Sequence, residues 1–303
     1  MIPIDFRGKV ALVTGVGDNE SFAWFIAKAL NAAGARIVLA CHPRMVGIVE
    51  SILSRPQDAE SRKLPYGDGE LKVEKILPCD VSYDTMADVP ENIRTDRRYT
   101  RLNCDYSIAG MIEGVKAATG ALDILIHSVA FSSEIKNSAL NTSRAAYLNA
   151  VSISAYSLTA LLRAAEPLMA NRPGGASALA LTYLGGERVV PHYGGGMSTA
   201  KAALQIDAKQ LAHNLGKNNI RVNLISAGPY ASRAASAIGD IQKMIDFAAM
   251  VSPLKRGITP EEVANAAVFL CSPLASGITG EVLFVDCGYN IMGVPPDDDL
   301  KKP

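Results

Sequence analysis

The densest chemistry in this sequence lies in residues 182–201, TYLGGERVVPHYGGGMSTAK, which hold Tyr183, Tyr193 and Lys201. A tyrosine with an ordinary pKa of about 10 gives up its proton poorly at neutral pH, but an ammonium beside it favours phenolate and lowers that pKa by about 1–3 units. Tyr193 backed by Lys201 can then work as an acid. Ala-rich periodicity predicts a helix over 198–215, with Lys201 in its first turn, projecting back toward the segment that carries Tyr193. A packing tyrosine and a solvated lysine give the same letters, so the preceding half of the chain has to decide.

That half begins with KVALVT at 9–14, an apolar run followed by Gly15 and Gly17, and then by a helical pattern over 21–33 that ends at Gly34. Strand, glycine turn and helix in this order let backbone amides approach a pyrophosphate at the positive end of a helix. The strict G-x-G-x-x-G spacing is not met, because Glu20 fills the sixth position, and any tight strand-to-helix turn has the same look. Two more strand ends add weight. Asp80 closes the third strand, where a carboxylate can accept the adenine amino group, and the next strand ends in His127-Ser128-Val129-Ala130, small residues that let backbone lie along a cofactor. Three such ends on one edge make a cleft at a topological switch point.

The elements behind these residues are seven β-rich apolar runs: 9–14, 35–40, 71–77, 122–127, 176–181, 220–226 and 282–286. Helix-length segments or turn signals separate them, which predicts an α/β, Rossmann-like, doubly wound parallel seven-stranded sheet with helices on both faces. One reductase-sized domain over 1–303 is expected, with surface insertions at 54–70 and 82–105 and a flexible polar tail at 295–303. Helices predicted at 145–166 and 198–215 carry apolar or small residues on more than one face, so a subunit contact is expected.

Hydrophobic residues make up 49% of the 303, so a packed core is expected. Thirty basic residues balance thirty acidic ones, leaving no diffuse field to draw nucleic acid or an anionic membrane. Cys41, Cys79, Cys104, Cys271 and Cys287 form no C-x-x-C pair, and His42, His127, His192 and His213 have no metal-ligand spacing, so neither disulfide framework nor metal is expected. Polar residues break the apolar runs short of the roughly 20 needed to span a bilayer, and residues 1–7 lead straight into a strand. No membrane segment, signal or transit peptide is expected in these residues.

With these motifs in place, the chain resembles the short-chain dehydrogenase/reductase superfamily and, within it, the NADH-dependent enoyl-acyl-carrier-protein reductases of bacteria, plastids and apicomplexan parasites. The resemblance runs from Gly8 to Gly293. Its most specific parts are TYLGGERVVPHYGGGMSTAKAAL, IRVNLISAGPYASRAASAIG and SPLASGITGEVLFVD, supported by SR-x-x-YL at 143–148. The wider superfamily spaces tyrosine and lysine by four positions; the gap of eight here, and the insertion at 54–70, resemble the plastid and apicomplexan subgroup. The resemblance implies a cytoplasmic enzyme, or a plastid one after removal of a transit peptide. It also implies a homotetramer that uses NADH to reduce trans-2-enoyl thioesters on acyl carrier protein, the last reductive step of fatty-acid elongation.

Carried over residue by residue, the resemblance gives Tyr193 the thioester carbonyl and Lys201 the nicotinamide ribose, with Tyr183 as a second active-site tyrosine or a wall. It lines the dinucleotide with Gly15, Gly17, Ser21, Phe22, His42, Asp80, Val81, Ser128, Val129, Ala130, Ala227, Gly228 and Pro229, and has Ser232 reach the phosphates. Substrate would meet Tyr183, Tyr193, Met197, Tyr230, Ala231, Ala234 and Ile238, under a mobile lid at 231–247. His192 in place of glycine, Tyr230 in place of leucine or isoleucine, Phe131-Ser132-Ser133, and His42 where relatives often have tryptophan depart from the family pattern. Cys41-His42-Pro43-Arg44 lacks the acidic residue that repels a 2′-phosphate, and Arg44 by itself leans toward NADPH. The NADH-using subgroup outweighs that lean. Two other readings remain: a 3-ketoacyl-thioester reductase, whose serine would lie closer to the tyrosine than Ser177, sixteen positions before Tyr193, and a dinucleotide sensor without turnover.

Overall fold

Strand residues alternate in the sense that a sheet covered on both faces demands. The computed structural model describes residues 4–233, 235 and 241–294. Its strands are β1 (Val10–Thr14), β2 (Arg36–Cys41), β3 (Val73–Pro78), β4 (Ile124–His127), β5 (Ala176–Thr182), β6 (Ile220–Ala227) and β7 (Val282–Val285). They form one parallel sheet in the order β3-β2-β1-β4-β5-β6-β7. Ala11 and Val13 of β1 face one core while Val10 and Leu12 face the other, and Leu179 and Leu181 of β5 oppose Ala176, Ala178 and Ala180 in the same way. The seven-stranded doubly wound sheet read from the apolar runs is the observed one, with ends displaced by a residue or two.

The helices are α1 (Phe22–Ala32), α2 (Val46–Ser54), α3 (Ala59–Arg62), α4 (Glu91–Arg94), α5 (Arg97–Thr100), α6 (Ile108–Thr119), α7 (Arg144–Val151), α8 (Ser157–Met169), α9 (Met197–Gly216), α10 (Ile241–Val251) and α11 (Pro260–Cys271). Side chains from α1, α2 and α11 pack the first face, and those from α6, α8 and α9 pack the second. Helix α9 buries Ala200, Leu204, Ala208 and Ala212 at helical spacing against a sheet face whose β5 contribution is alanine alone. Small residues on both surfaces let helix and sheet approach closely.

Two expectations need revision. The helix predicted at 145–166 runs on from 144 to 169, because a π-helical turn, Ser152–Tyr156, joins α7 to α8 without a break. By length and composition it is long and apolar enough to cross a membrane, unlike the short runs seen in the sequence, yet more than half of its most apolar window is buried within the protein. The insertions at 54–70 and 82–105 are mainly exposed, and each is tied to the body of the protein at a few points. The indole N–H of fully buried Trp24 donates to Ser61 O at 2.9 Å in the first, and Val89, Tyr99 and Tyr106 make a small core of their own in or beside the second. The tail at 295–303 lies outside the described residues.

Chain order reverses between β1 and β4, which is where the glycine turn falls. Gly15 follows β1 with φ +78°, and a Cβ placed there would stand 1.9 Å from the carbonyl oxygen of Ser128, which follows β4. Ser21 caps α1 just beyond, its hydroxyl accepting from Trp24 N–H. Gly15→Ala therefore meets both a left-handed backbone and a collision with another strand's backbone. A loss of about 2–4 kcal/mol in urea unfolding is expected; an unchanged midpoint would mean that the crossing of β1 and β4 relaxes without cost.

Candidate active site

Lys201 is the fifth residue of α9, and its buried ammonium donates to Leu181 O at 2.8 Å. It thus sits one turn into the helix, slightly deeper than expected. The eight-residue gap from Tyr193 has a steric cause. Gly194 N–H donates to Ile135 O at 3.1 Å, Gly195 N–H to Asn137 O at 3.0 Å, and Ser132 Oγ donates to Gly195 O at 2.7 Å. A Cβ on Gly194 would lie 1.9 Å from Asn137 O. Glycines let this stretch dock on residues 132–137 before the helix starts, with Ser198 Oγ fastening Tyr193 O at 3.0 Å.

Tyr183, directly after β5, meets Tyr193 edge to face, the ring centroids 4.9 Å apart at 67°. Burial pushes both hydroxyls above the ordinary tyrosine value. This corrects the expectation that Lys201 lowers the pKa of Tyr193: among the described residues no hydrogen bond joins the two, and desolvation dominates. Tyr193 is a neutral phenol, a hydrogen-bond donor. Burial also brings Lys201 down to about 8.

His127, the last residue of β4, is fully buried. Its Nε2 lies 2.7 Å from Ser157 Oγ, which donates its own proton to Ile153 O at 2.6 Å, so Nε2 carries hydrogen and donates. Burial first, and then the charge of Lys201, hold the imidazole neutral down to about 3. In the π turn, Ser154 Oγ accepts from Phe131 N–H at 2.9 Å and faces Phe131 O at 3.2 Å, tying down the loop after β4.

A cavity of about 500 Å³ opens along this edge, within the range of small-molecule sites. It brings together Gly15, Ser21, Phe22, Ser128, Val129, Ala130, Tyr183, Tyr193, Met197, Lys201, Ala227, Gly228, Pro229, Tyr230 and Ser232. Gly17, His42, Asp80, Val81 and Ala231 are not in its lining. Ala234 and Ile238 lie outside the described residues. Phe131 and Ser132, noted in the sequence as departures from the family pattern, line it too, as do Ile241 and Met244 from the expected lid; Ile135, Leu181 and Thr182 join them without having been singled out in the sequence. The Tyr230 ring sits 5.2 Å from that of Phe22, covering the start of α1.

His42 and Asp80 meet at the neighbouring ends of β2 and β3, Nε2 to Oδ2 3.4 Å. Tyr99, which the sequence reading missed, donates its hydroxyl to Asp80 Oδ2 at 2.8 Å and stands 3.1 Å from His42 Nε2. Burial pushes the Asp80 carboxyl up, but the His42 imidazole beside it and hydrogen bonds from Ser82 and Tyr99 outweigh it and hold it at about 2.

Residues 84–290 match a family model described as enoyl-(acyl carrier protein) reductase. The Oryza sativa subsp. japonica protein named enoyl-acyl-carrier-protein reductase (NADH) 2, chloroplastic, is 48% identical over 98% of this chain and 79% of its own length. The chain belongs to the enoyl-acyl-carrier-protein reductase family. Its fold agrees: the Plasmodium berghei enoyl-acyl-carrier-protein reductase, crystallised with triclosan, superposes with a TM-score of 0.90 at 37% identity, covering 95% of this chain and all of that one. The Anaplasma phagocytophilum reductase in complex with NAD gives a TM-score of 0.78 at 37% identity, covering 97% and 98%. The resemblance read from the tyrosine–lysine segment is therefore correct at the level of family.

The buried imidazole of this reductase gives a pH prediction. His127 has a folded value near 3 against an ordinary 6.5, so the unfolded chain binds the extra proton between those values. Its contribution to stability is complete above pH 6.5 and is lost as pH falls toward 3, at about 1.4 kcal/mol per pH unit. Asp80 titrates in the fold only near 2 and enters below pH 3.8. Denaturant titrations from pH 4 to 6.5 are expected to show a slope one proton steeper in the wild type than in His127→Gln; equal slopes would remove His127 from the acid response.

Proposed function

We propose that this chain uses NADH to reduce the carbon–carbon double bond of trans-2-enoyl thioesters carried by acyl carrier protein, the last reductive step of fatty-acid elongation. The observation that carries the reading is the placing of Tyr193, Tyr183 and Lys201 in one cavity that begins at the Gly15–Ser128 crossing. That crossing fits a dinucleotide, because no Cβ fits between the two backbones and α1 starts just beyond. Gly15, Ser21, Ser128, Val129, Ala130, Ala227, Gly228, Pro229 and Ser232 would hold it, with Gly17, Phe22, Val81, His42 and Asp80 toward its adenosine. Lys201 has three ammonium hydrogens and gives one to Leu181 O, which leaves donors for a ribose.

Bound NADH supplies the hydride. As charge gathers on the thioester oxygen, Tyr193 donates a hydrogen bond to it from a water-poor cavity, where such a bond is strongest. The edge of Tyr183 fixes the Tyr193 ring, and the Lys201 ammonium favours negative charge nearby. Met197, Tyr230, Ile241 and Met244 exclude water from the acyl side, with Ala231, Ala234 and Ile238 assigned to the same channel. Residues 231–247 serve as the substrate-binding lid.

NADH suits the adenosine end. Arg44, which alone would favour a 2′-phosphate, lies over the Tyr99 ring at 5.8 Å and 4.0 Å from the carboxylate of Asp96, which offsets its charge. Two cores share one sheet, which supports a single domain. Tyr147, Leu148, Tyr156 and Ile206 stand exposed on α7, the π turn and α9, a face suited to the subunit contacts of a homotetramer. The cytosol, or a plastid after removal of a transit peptide, is the compartment assigned; the rice relative is named as chloroplastic.

Removing one oxyanion donor costs on the order of 3 kcal/mol, about a hundredfold in kcat. Tyr193→Phe is expected to lose that much on crotonyl thioester with NADH affinity almost unchanged, and Tyr183→Phe much less. Equal turnover by wild type and Tyr193→Phe would exclude the tyrosine, and preferential reduction of acetoacetyl thioester would make the chain a ketoacyl reductase. A kcat/KM more than about tenfold better with NADPH would overturn the coenzyme assignment, and monomers in light scattering the tetramer.

A further inference from the structure

We propose that Tyr99, inside the second insertion, is a positioning residue that aims Asp80 and His42 at the adenine of the coenzyme. The inference rests on the NADH reading above and deepens it. Tyr99 lies in the short helix α5, 2% exposed, its ring packed edge-on to Tyr106 with centroids 4.8 Å apart. An insertion that only tolerated solvent would have no reason to bury a tyrosine with its hydroxyl on a strand-end carboxylate.

The direction of each hydrogen bond follows from the donors available. Arg44 N–H donates to His42 Nδ1 at 3.2 Å, so Nδ1 is the bare nitrogen of a neutral ring and Nε2 bears the hydrogen. Nε2–H faces the Tyr99 oxygen at 3.1 Å, and the one Tyr99 hydrogen goes to Asp80 Oδ2 at 2.8 Å. On the other side Ser82 N–H donates to Asp80 Oδ1 at 3.1 Å, and Asp80 N–H donates to Tyr106 O at 2.7 Å. Every link has one donor and one acceptor, so the imidazole plane and the carboxylate plane are fixed together. A carboxylate has about four acceptor sites, and those left over suit the exocyclic amino group of adenine. Without the Tyr99 hydroxyl, Nε2–H, already 3.4 Å from Asp80 Oδ2, would turn onto that oxygen and use up an acceptor site.

Tyr99→Phe keeps the ring and its packing and removes only the hydroxyl. Steady-state kinetics with crotonyl thioester would compare NADH with its deamino analogue, in which a hypoxanthine carbonyl replaces the adenine amino group. Wild type is expected to favour NADH by about tenfold or more in kcat/KM. In Tyr99→Phe, KM for NADH is expected to rise about tenfold, kcat to stay within about twofold, and preference over the deamino analogue to shrink below about threefold. Asp80→Asn is expected to lose the same preference, and the double variant to be no worse than Asp80→Asn, because Tyr99 acts through that carboxylate. An unchanged preference in Tyr99→Phe, equal KM increases for both dinucleotides, or additive losses in the double variant would overturn the proposal while leaving the NADH reading standing. Failure of the wild type to oxidise NADH would overturn that reading, and this one with it.

Discussion

The hydrogen bond from the Lys201 ammonium to the carbonyl of Leu181 is the contact around which the site is arranged. A cation buried at the end of β5 costs desolvation free energy, visible in its fall to about 8, so the surroundings must hold it closely enough to keep it there. Helix α9 achieves this with alanines turned toward an alanine face of β5, and the glycines before it let Tyr193 dock on residues 132–137 instead of being swept into the helix. The same charge helps hold His127 neutral, so the polar groups behind the cavity form one electrostatic unit.

Geometry at the switch point is the complementary constraint. Where Gly15 passes the Ser128 carbonyl, the sheet presents backbone instead of side chains, and the cavity runs from there to the two tyrosines. Side chains at the crossing are excluded sterically; side chains beyond it, from Tyr230 and α10, supply the apolar walls. One groove thus presents bare backbone at one end and apolar side chains at the other.

Much of this was legible in the sequence because it is locally encoded. Alternating burial on seven strands, the glycine after β1, and the tyrosine and lysine flanking GGG all follow from turn chemistry and periodicity. The electrostatics of Tyr193 were not legible, since spacing says how near a lysine can come but nothing of how much water is lost. Tyr99 was hidden for a different reason. Its neighbours Arg97, Arg98 and Arg101 give the segment the look of a solvated loop, and its burial arises only because β3 and the second insertion meet at Asp80.

The π turn at Ser152–Tyr156 has a bearing on how relatives of this chain are compared. A π turn takes in more residues than an α turn, so each added residue rotates the remainder of the helix by about 100° relative to an uninterrupted α-helix. Leu158, Leu161 and Leu162 of α8 point into the sheet, while Tyr147 and Leu148 of α7 stay exposed. A relative without the π turn would need a gap in the alignment at this point. If the gap were misplaced, outward positions of α7 would be matched to inward ones, and a pattern of selection on surface residues would be mistaken for one acting on the core.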